Sequence, residues 1–169
     1  MDKKRISKKI AEVAVFTALA LIFSYIEAII PLNLGIPGVK FGIANIVIVV
    51  ALYKLGAPEA AGISLIRVII IGLLFGNIVS LLYSLSGAAL SFITMIICKR
   101  LKLSVIGVSA IGGTLHNIGQ LICAAAVLQN TAIIYYMPVL VIAGLVAGLL
   151  IGIVSYNIIR LSDSRIFLN

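Results

Sequence analysis

Long apolar runs, separated by short breaks that contain glycine, proline or polar residues, make up most of the chain. A helix that crosses a lipid bilayer needs about 20 apolar residues. The pattern predicts six helices, over Ile10–Ile30, Phe41–Tyr53, Ala60–Phe75, Ile78–Cys98, Leu103–Leu128 and Thr131–Ile159. The second and third runs are short for a full crossing, so we expect them to tilt, to start inside the loop or to form a partly broken hairpin.

The predicted fold class is therefore an all-α integral membrane protein, a bundle of six transmembrane helices in a single domain over residues 1–169. Within it we distinguish a basic N-terminus (1–9), the helix bundle (10–160) and a short tail (161–169). Composition agrees, because 63% of the residues are hydrophobic and only 11% are charged, whereas a soluble domain carries about 25% charged residues.

The chain lacks the patterns of common catalytic and metal sites. It has no phosphate-cradling GK[ST] loop, no Asp-rich prenyltransferase motif and no Ser-His-Asp set. Its one histidine and two cysteines, Cys98 and Cys123, do not have metal-ligand spacing, and the cysteines are expected to lie too far apart for a disulfide. We predict no catalytic residues, no metal and no cofactor. The net charge of +8 comes without a nucleic-acid motif, so no nucleic-acid partner is expected.

The basic residues indicate the orientation in the membrane. Six crossings place both termini on one side, and eleven of the thirteen Lys and Arg residues fall there. Lys40 falls on the other side and Arg67 lies within a span. Because Lys and Arg concentrate in cytoplasmic segments, we predict cytoplasmic termini and a multi-pass protein of the cell membrane, surrounded by the lipid bilayer.

The stretch Ser24–Asn45 contains an unusual density of polar and turn-forming residues between two apolar runs. It includes Glu27, Lys40 and Asn45, with prolines and glycines between Pro31 and Gly38. Two interpretations are open: a surface loop whose charges lie at the water interface, or part of a binding site facing outward, with the proline- and glycine-containing segment as a lid.

Arg67 lies in the middle of the third predicted helix. An unpaired Arg inside a membrane is unfavourable, so its side chain should face the bundle interior. One alternative is a structural ion pair with Glu27, which we favour slightly. The other is that Arg67 binds an anionic group of a ligand.

The fifth predicted helix carries His116, Asn117 and Gln120, which span an arc of about 100°. A lone buried histidine is most often a structural residue, but three hydrogen-bonding side chains on one arc favour a polar pocket. Tyr83 lies in the outer half of the fourth helix. We predict a substrate-binding site formed by Glu27, Lys40, Asn45, Arg67, Tyr83, His116, Asn117 and Gln120.

Two stripes of small residues allow helices to approach closely. Ala11, Ala14 and Ala18 form one face of the first helix, about 180° from Glu27; this face serves either a partner or internal packing. Gly144, Gly148 and Gly152 follow one another at four-residue spacing in the last helix, where packing within the bundle or dimerisation is expected.

Several motifs resemble the Gx transporter family, which is also labelled heptaprenyl diphosphate synthase component I. They are SYIE (24–27), PGVKFGIAN (37–45), RV (67–68), GLLFGN (72–77), LYSLSGAALS (82–91) and HNIGQ (116–120). The family is similar to the substrate-binding S components of energy-coupling-factor (ECF) transporters. The resemblance covers roughly residues 10–160. It implies six helices, an outward site closed by the loop after the first helix, and an alanine face, here Ala14–Ala18, that docks on a transmembrane coupling subunit driven by ATPase subunits.

The leading hypothesis is a membrane subunit that binds a small vitamin-like or precursor solute for uptake and works with an ATP-driven module. A first alternative is an accessory membrane subunit of isoprenoid or quinone synthesis that binds a prenyl diphosphate through Lys40 and Arg67. A second is a purely structural membrane subunit. The sequence does not identify the solute.

Overall fold

The computed structural model describes residues 3–30 and 42–166, with side chains up to residue 163. Lys40 and the predicted lid Pro31–Gly38 lie outside the described residues. Within those ranges the chain is helical and contains no strand. The six α-helices are α1 Lys3–Ile29, α2 Ile43–Lys54, α3 Ala57–Phe75, α4 Ile78–Arg100, α5 Val105–Leu128 and α6 Met137–Ile166, and a 3₁₀-helix at Thr131–Tyr136 precedes α6. The all-helical prediction is confirmed for these residues.

Local sequence signals explain most of the helix boundaries. Pro58 lies in the first turn of α3, where its missing N–H costs no hydrogen bond, so α3 begins earlier than the predicted Ala60. At the start of α4 the Asn77 side chain accepts from the Ser80 N–H at 2.8 Å, and the Ser80 hydroxyl accepts from the Asn77 N–H at 2.9 Å, which is a capping box. Ser104 caps α5 by accepting from the Gly107 N–H at 3.1 Å.

Two helices begin six or more residues away from the predicted position. The first helix begins at Lys3 instead of Ile10, because Lys and Arg are good helix formers and Lys8 and Glu12 face each other one turn apart, at 4.0 Å. The last α-helix begins at Met137 instead of Thr131. Pro138 explains this, since a proline inside a continuous α-helix would lose a hydrogen bond and collide with the preceding turn.

Five of the helices are long and apolar enough to cross a membrane: α1, α3, α4, α5 and the segment that contains α6. The third helix, at 19 residues, is therefore not short as predicted. Helix α2 has 12 residues, about 18 Å of helix, which is less than the roughly 30 Å of hydrocarbon in a bilayer. The chain is a multi-pass helical membrane protein in which α2 is too short to span on its own.

Helix α2 forms the centre of the bundle. Its residues from Val47 to Leu52 are all buried, and Ile48 and Leu52 are almost completely inaccessible. A helix that is apolar on every side is stable in an apolar environment, which the neighbouring helices provide for α2. Helices α1, α3 and α6 pack against α2, while α3–α4, α4–α5 and α5–α6 contacts complete the ring.

The basic end of the bundle is held by contacts between helices. Lys9 of α1 pairs with Glu59 of α3, and Lys54 of α2 pairs with Asp163 of α6. The Lys99 ammonium donates to the Leu52 carbonyl at 2.6 Å, at the C-terminal end of α2 where a cation is favourable. Basic residues of α1, α2 and α4 thus lie at the same end of the bundle.

Candidate polar cavity between the helices

A cavity of about 350 Å³ opens in the half of the bundle away from the basic end. All six α-helices line it: the C-terminal parts of α1 and α3, the start of α2, the N-terminal halves of α4 and α6, and the middle of α5. Six of the eight predicted substrate-binding residues lie in its wall, namely Glu27, Asn45, Arg67, His116, Asn117 and Gln120. The structure thus brings these six residues together around one cavity, and their role in substrate binding stays a prediction.

Arg67 is the centre of one wall of the cavity. Its guanidinium donates from Nη2 to the Asn45 Oδ1 at 3.2 Å and from Nη1 to the Ser24 Oγ at 3.4 Å. The Nε atom is buried and has no hydrogen-bond partner among the described residues. A buried N–H group without a partner costs about 1–3 kcal/mol. The two hydrogen bonds are therefore too few to satisfy this cation.

Glu27 does not form the ion pair with Arg67 that we favoured from the sequence. Within the described residues the ion pairs involve other groups. The Glu27 Oε1 instead accepts from the backbone N–H of Ile43 at 2.9 Å. Ile43 is the first residue of α2, and Gly42 before it provides no side-chain cap. The first N–H groups of a helix lack partners and attract negative charge, so Glu27 serves as the cap of α2 from a neighbouring helix.

The opposite wall carries neutral hydrogen-bonding groups from α5. Asn117 uses its Nδ2 to donate to the Leu140 carbonyl of α6 at 2.8 Å, which fixes the orientation of its amide. Gln120 makes no hydrogen bond within the described part of the chain. Gly87 allows α4 to approach these residues closely, since a Cβ at this position would lie 2.7 Å from the Gln120 Cγ.

Two predicted site residues are not in the cavity wall. Tyr83 is not among the lining residues that the structure describes, and Lys40 belongs to the undescribed segment. On α4 the wall is formed by Ser80 and Ser84. The prediction also missed Ser24, which is buried and lies one turn before Glu27 on α1. That three-residue spacing is the signal that places Ser24 on the same face as Glu27.

The glycine stripe of α6 packs against α5, as expected for internal packing. A Cβ on Gly144 would lie 2.6 Å from the Gly113 carbonyl oxygen, and one on Gly148 would lie 2.6 Å from the Ser109 carbonyl oxygen. Gly113, Gly144 and Gly148 also line the cavity. The backbone at these three glycines thus forms part of the cavity wall, and larger side chains at these positions would fill the cavity.

The alanine face of α1 lies outside the bundle. Ala11, Ala14 and Ala18 are all exposed, and so are the neighbouring apolar residues Val15 and Ile22. The alanine face therefore does not pack against any other described part of the chain. This face contacts either lipid or another protein.

The fold and the cavity define a class of protein: a multi-pass helical membrane protein with a cavity between its helices that polar and apolar residues line together. The model of the family described as heptaprenyl diphosphate synthase component I matches residues 16–158. The match spans most of the chain, so the chain belongs to this family. No curated protein and no solved structure matches it.

Proposed function

We propose that this chain is the solute-binding subunit of an uptake system in the cell membrane, similar to an ECF S component. The observation that carries the proposal is the cavity of about 350 Å³ between the helices, a size within the range of about 300–1,000 Å³ typical of small-molecule sites. Polar side chains placed inside a membrane protein are costly, and they usually mark a substrate pathway or site. A purely structural subunit has no need of such a cavity.

The position of the cavity supports uptake. It lies in the half of the bundle opposite the contacts of Lys9, Lys54 and Lys99. If the basic end faces the cytoplasm, as charge distribution in membrane proteins favours, the cavity lies in the outer half, where it receives a solute from outside. Both termini are then cytoplasmic.

The exposed alanine face of α1 supports a partner. Small residues allow a second helix to approach closely, and Ala14 and Ala18 present such a surface next to the lipid. In this proposal a transmembrane coupling subunit docks there, and associated ATPase subunits supply the energy. Helix α1 packs mainly on α2 and α3, which leaves its alanine face exposed for a partner.

The description of the family favours a second candidate, an accessory subunit that binds a prenyl diphosphate. Arg67 would then hold the diphosphate. The two functions differ in what the protein binds, so native mass spectrometry of the gently purified chain separates them. We expect a water-soluble solute of small mass. A bound isoprenoid diphosphate would support the second candidate, and a chain that carries no ligand and binds none would refute both.

A further inference from the structure

The cavity is chemically two-sided. One wall carries the charged groups, Arg67 and Glu27, together with Asn45 and Ser24 from α2 and α1. The wall built by α4 and α5 carries hydroxyl, amide and imidazole groups, such as those of Ser84, Gln120 and His116. A solute that fits both walls has a charged group at one end and a neutral polar group at the other.

The charge of the solute follows from how the two charged residues are engaged. Glu27 is committed to the first N–H of α2 at 2.9 Å, where its negative charge is already compensated by the positive end of the helix. Arg67 donates hydrogen bonds only to neutral partners, at 3.2 and 3.4 Å, and its Nε has no partner among the described residues. The Glu27 carboxylate acts on the guanidinium through its charge, without a direct ion pair. The guanidinium therefore has hydrogen-bonding capacity left for an anionic ligand.

We propose that the solute is a monocarboxylate whose carboxylate binds the guanidinium of Arg67, with its neutral polar end against α5. This inference rests on the proposed uptake function. A carboxylate matches the fork of N–H groups on an arginine and accepts two hydrogen bonds at once. Arg67 is the only Lys or Arg among the described lining residues, so a single negative charge is balanced, whereas a diphosphate would add uncompensated charge close to Glu27.

The experiment measures thermal unfolding of the full chain in detergent with nicotinate, 4-aminobenzoate and pyroglutamate, each compared with its primary amide. Each acid and its amide differ by one charge at nearly the same shape. We expect at least one acid to raise the midpoint in a saturable way while its amide does not. This comparison uses the wild-type chain, so it does not depend on whether a variant folds.

Variants then locate the charge. Arg67→Gln should weaken binding of the stabilising acid about tenfold to a hundredfold, because a charge-assisted contact is lost, and Arg67→Lys should retain part of it. Arg160→Gln is the matched control, since Arg160 is exposed near the C-terminal end of α6. Binding within twofold of wild type in Arg67→Gln, amides as effective as acids, or no effect of any acid would overturn the proposal.

Native mass spectrometry distinguishes a failure of the carboxylate assignment from a failure of the proposed uptake function. A neutral or cationic solute bound to the wild-type chain would overturn the carboxylate assignment and leave the solute-binding function in place. A bound isoprenoid diphosphate, or no ligand at all, would remove the uptake function and the carboxylate with it.

Discussion

The contact between α5 and α6 gives the sharpest test of the packing. A Cβ added to Gly148 would lie 2.6 Å from the Ser109 carbonyl oxygen and 2.8 Å from the Ala110 Cα. Both atoms belong to the backbone of α5, so neither can rotate away, and Gly148→Ala must push the helices apart. Overpacking of this kind costs about 1–3 kcal/mol. For a chain of this size that corresponds to a fall of roughly 2–12 °C in the unfolding midpoint.

Gly62 supplies the matched control. It lies inside α3, and a Cβ there would have nothing within 4 Å. Gly62→Ala should therefore stabilise the helix by roughly 0.5–1 kcal/mol, because alanine loses less backbone freedom on folding. The same substitution should thus shift the midpoint in opposite directions at the two positions.

The assay uses a maleimide dye that becomes fluorescent on reaction with a thiol. Cys98 is buried and free, so it reacts when the bundle opens. Cys123 is only partly buried and is replaced by alanine in all samples. A Gly148→Ala chain that unfolds at or above the wild-type midpoint would refute the close approach of α5 and α6.

Three further predictions follow. Gln120→Ala should weaken ligand binding about tenfold to a hundredfold with little change in the unfolding midpoint. Asn117→Ala should weaken binding and also lower the midpoint, because the Asn117 amide donates a hydrogen bond to the α6 backbone. Equal unfolding midpoints for the two variants would contradict this. Ala14→Leu should reduce assembly with the coupling subunit and uptake, while ligand binding persists. The control Ala89→Leu, at an exposed position of α4, should leave assembly and uptake unchanged. Normal assembly of Ala14→Leu would show that the alanine face contacts lipid and not the partner. Tyr135 is 87% exposed, so Tyr135→Cys should react with a membrane-impermeant reagent added to intact cells. Labelling only after lysis would show that the chain has the opposite orientation in the membrane.

The structure brings Glu27, Arg67 and Gln120 together around one cavity. The sequence predicts Glu27 and Gln120 in one pocket in the outer half of the bundle, with Arg67 beneath it as a partner or floor. Alternating helix directions and the cost of burying polar groups were sufficient for this. The start of α6 was not predicted correctly, because Pro138 was included in one long apolar run from Thr131 to Ile159.

The error at Tyr83 has a geometric cause. Ser80 and Ser84 lie about 40° apart around α4 and both line the cavity. Tyr83 is rotated by about 60° from Ser80 and by about 100° from Ser84, away from that face. The cavity does lie at the N-terminal half of α4, where Tyr83 is found, but helical phase was needed to choose the face.

The Glu27–Arg67 pair shows what composition leaves undetermined. Opposite charges on neighbouring helices suggest a salt bridge, and the sequence contains no other evident partner for either group. The start of α2 changes this, because its first N–H competes for the carboxylate with a well-aligned bond of 2.9 Å. A helix end is a charge that does not appear in a count of Asp, Glu, Lys and Arg.

Helix α1 connects the proposed partner surface to the cavity by a short route. Its outer face carries the exposed Ala14 and Ala18, and its inner face carries Ser24 and Glu27. Ser24 bonds Arg67 directly, and Glu27 holds the first residue of the helix that carries Asn45, the second partner of Arg67. A displacement of α1 therefore changes both supports of the guanidinium at once. In the proposed function, a partner that docks on the alanine face and prefers another position of α1 would therefore alter the affinity of Arg67 for the solute.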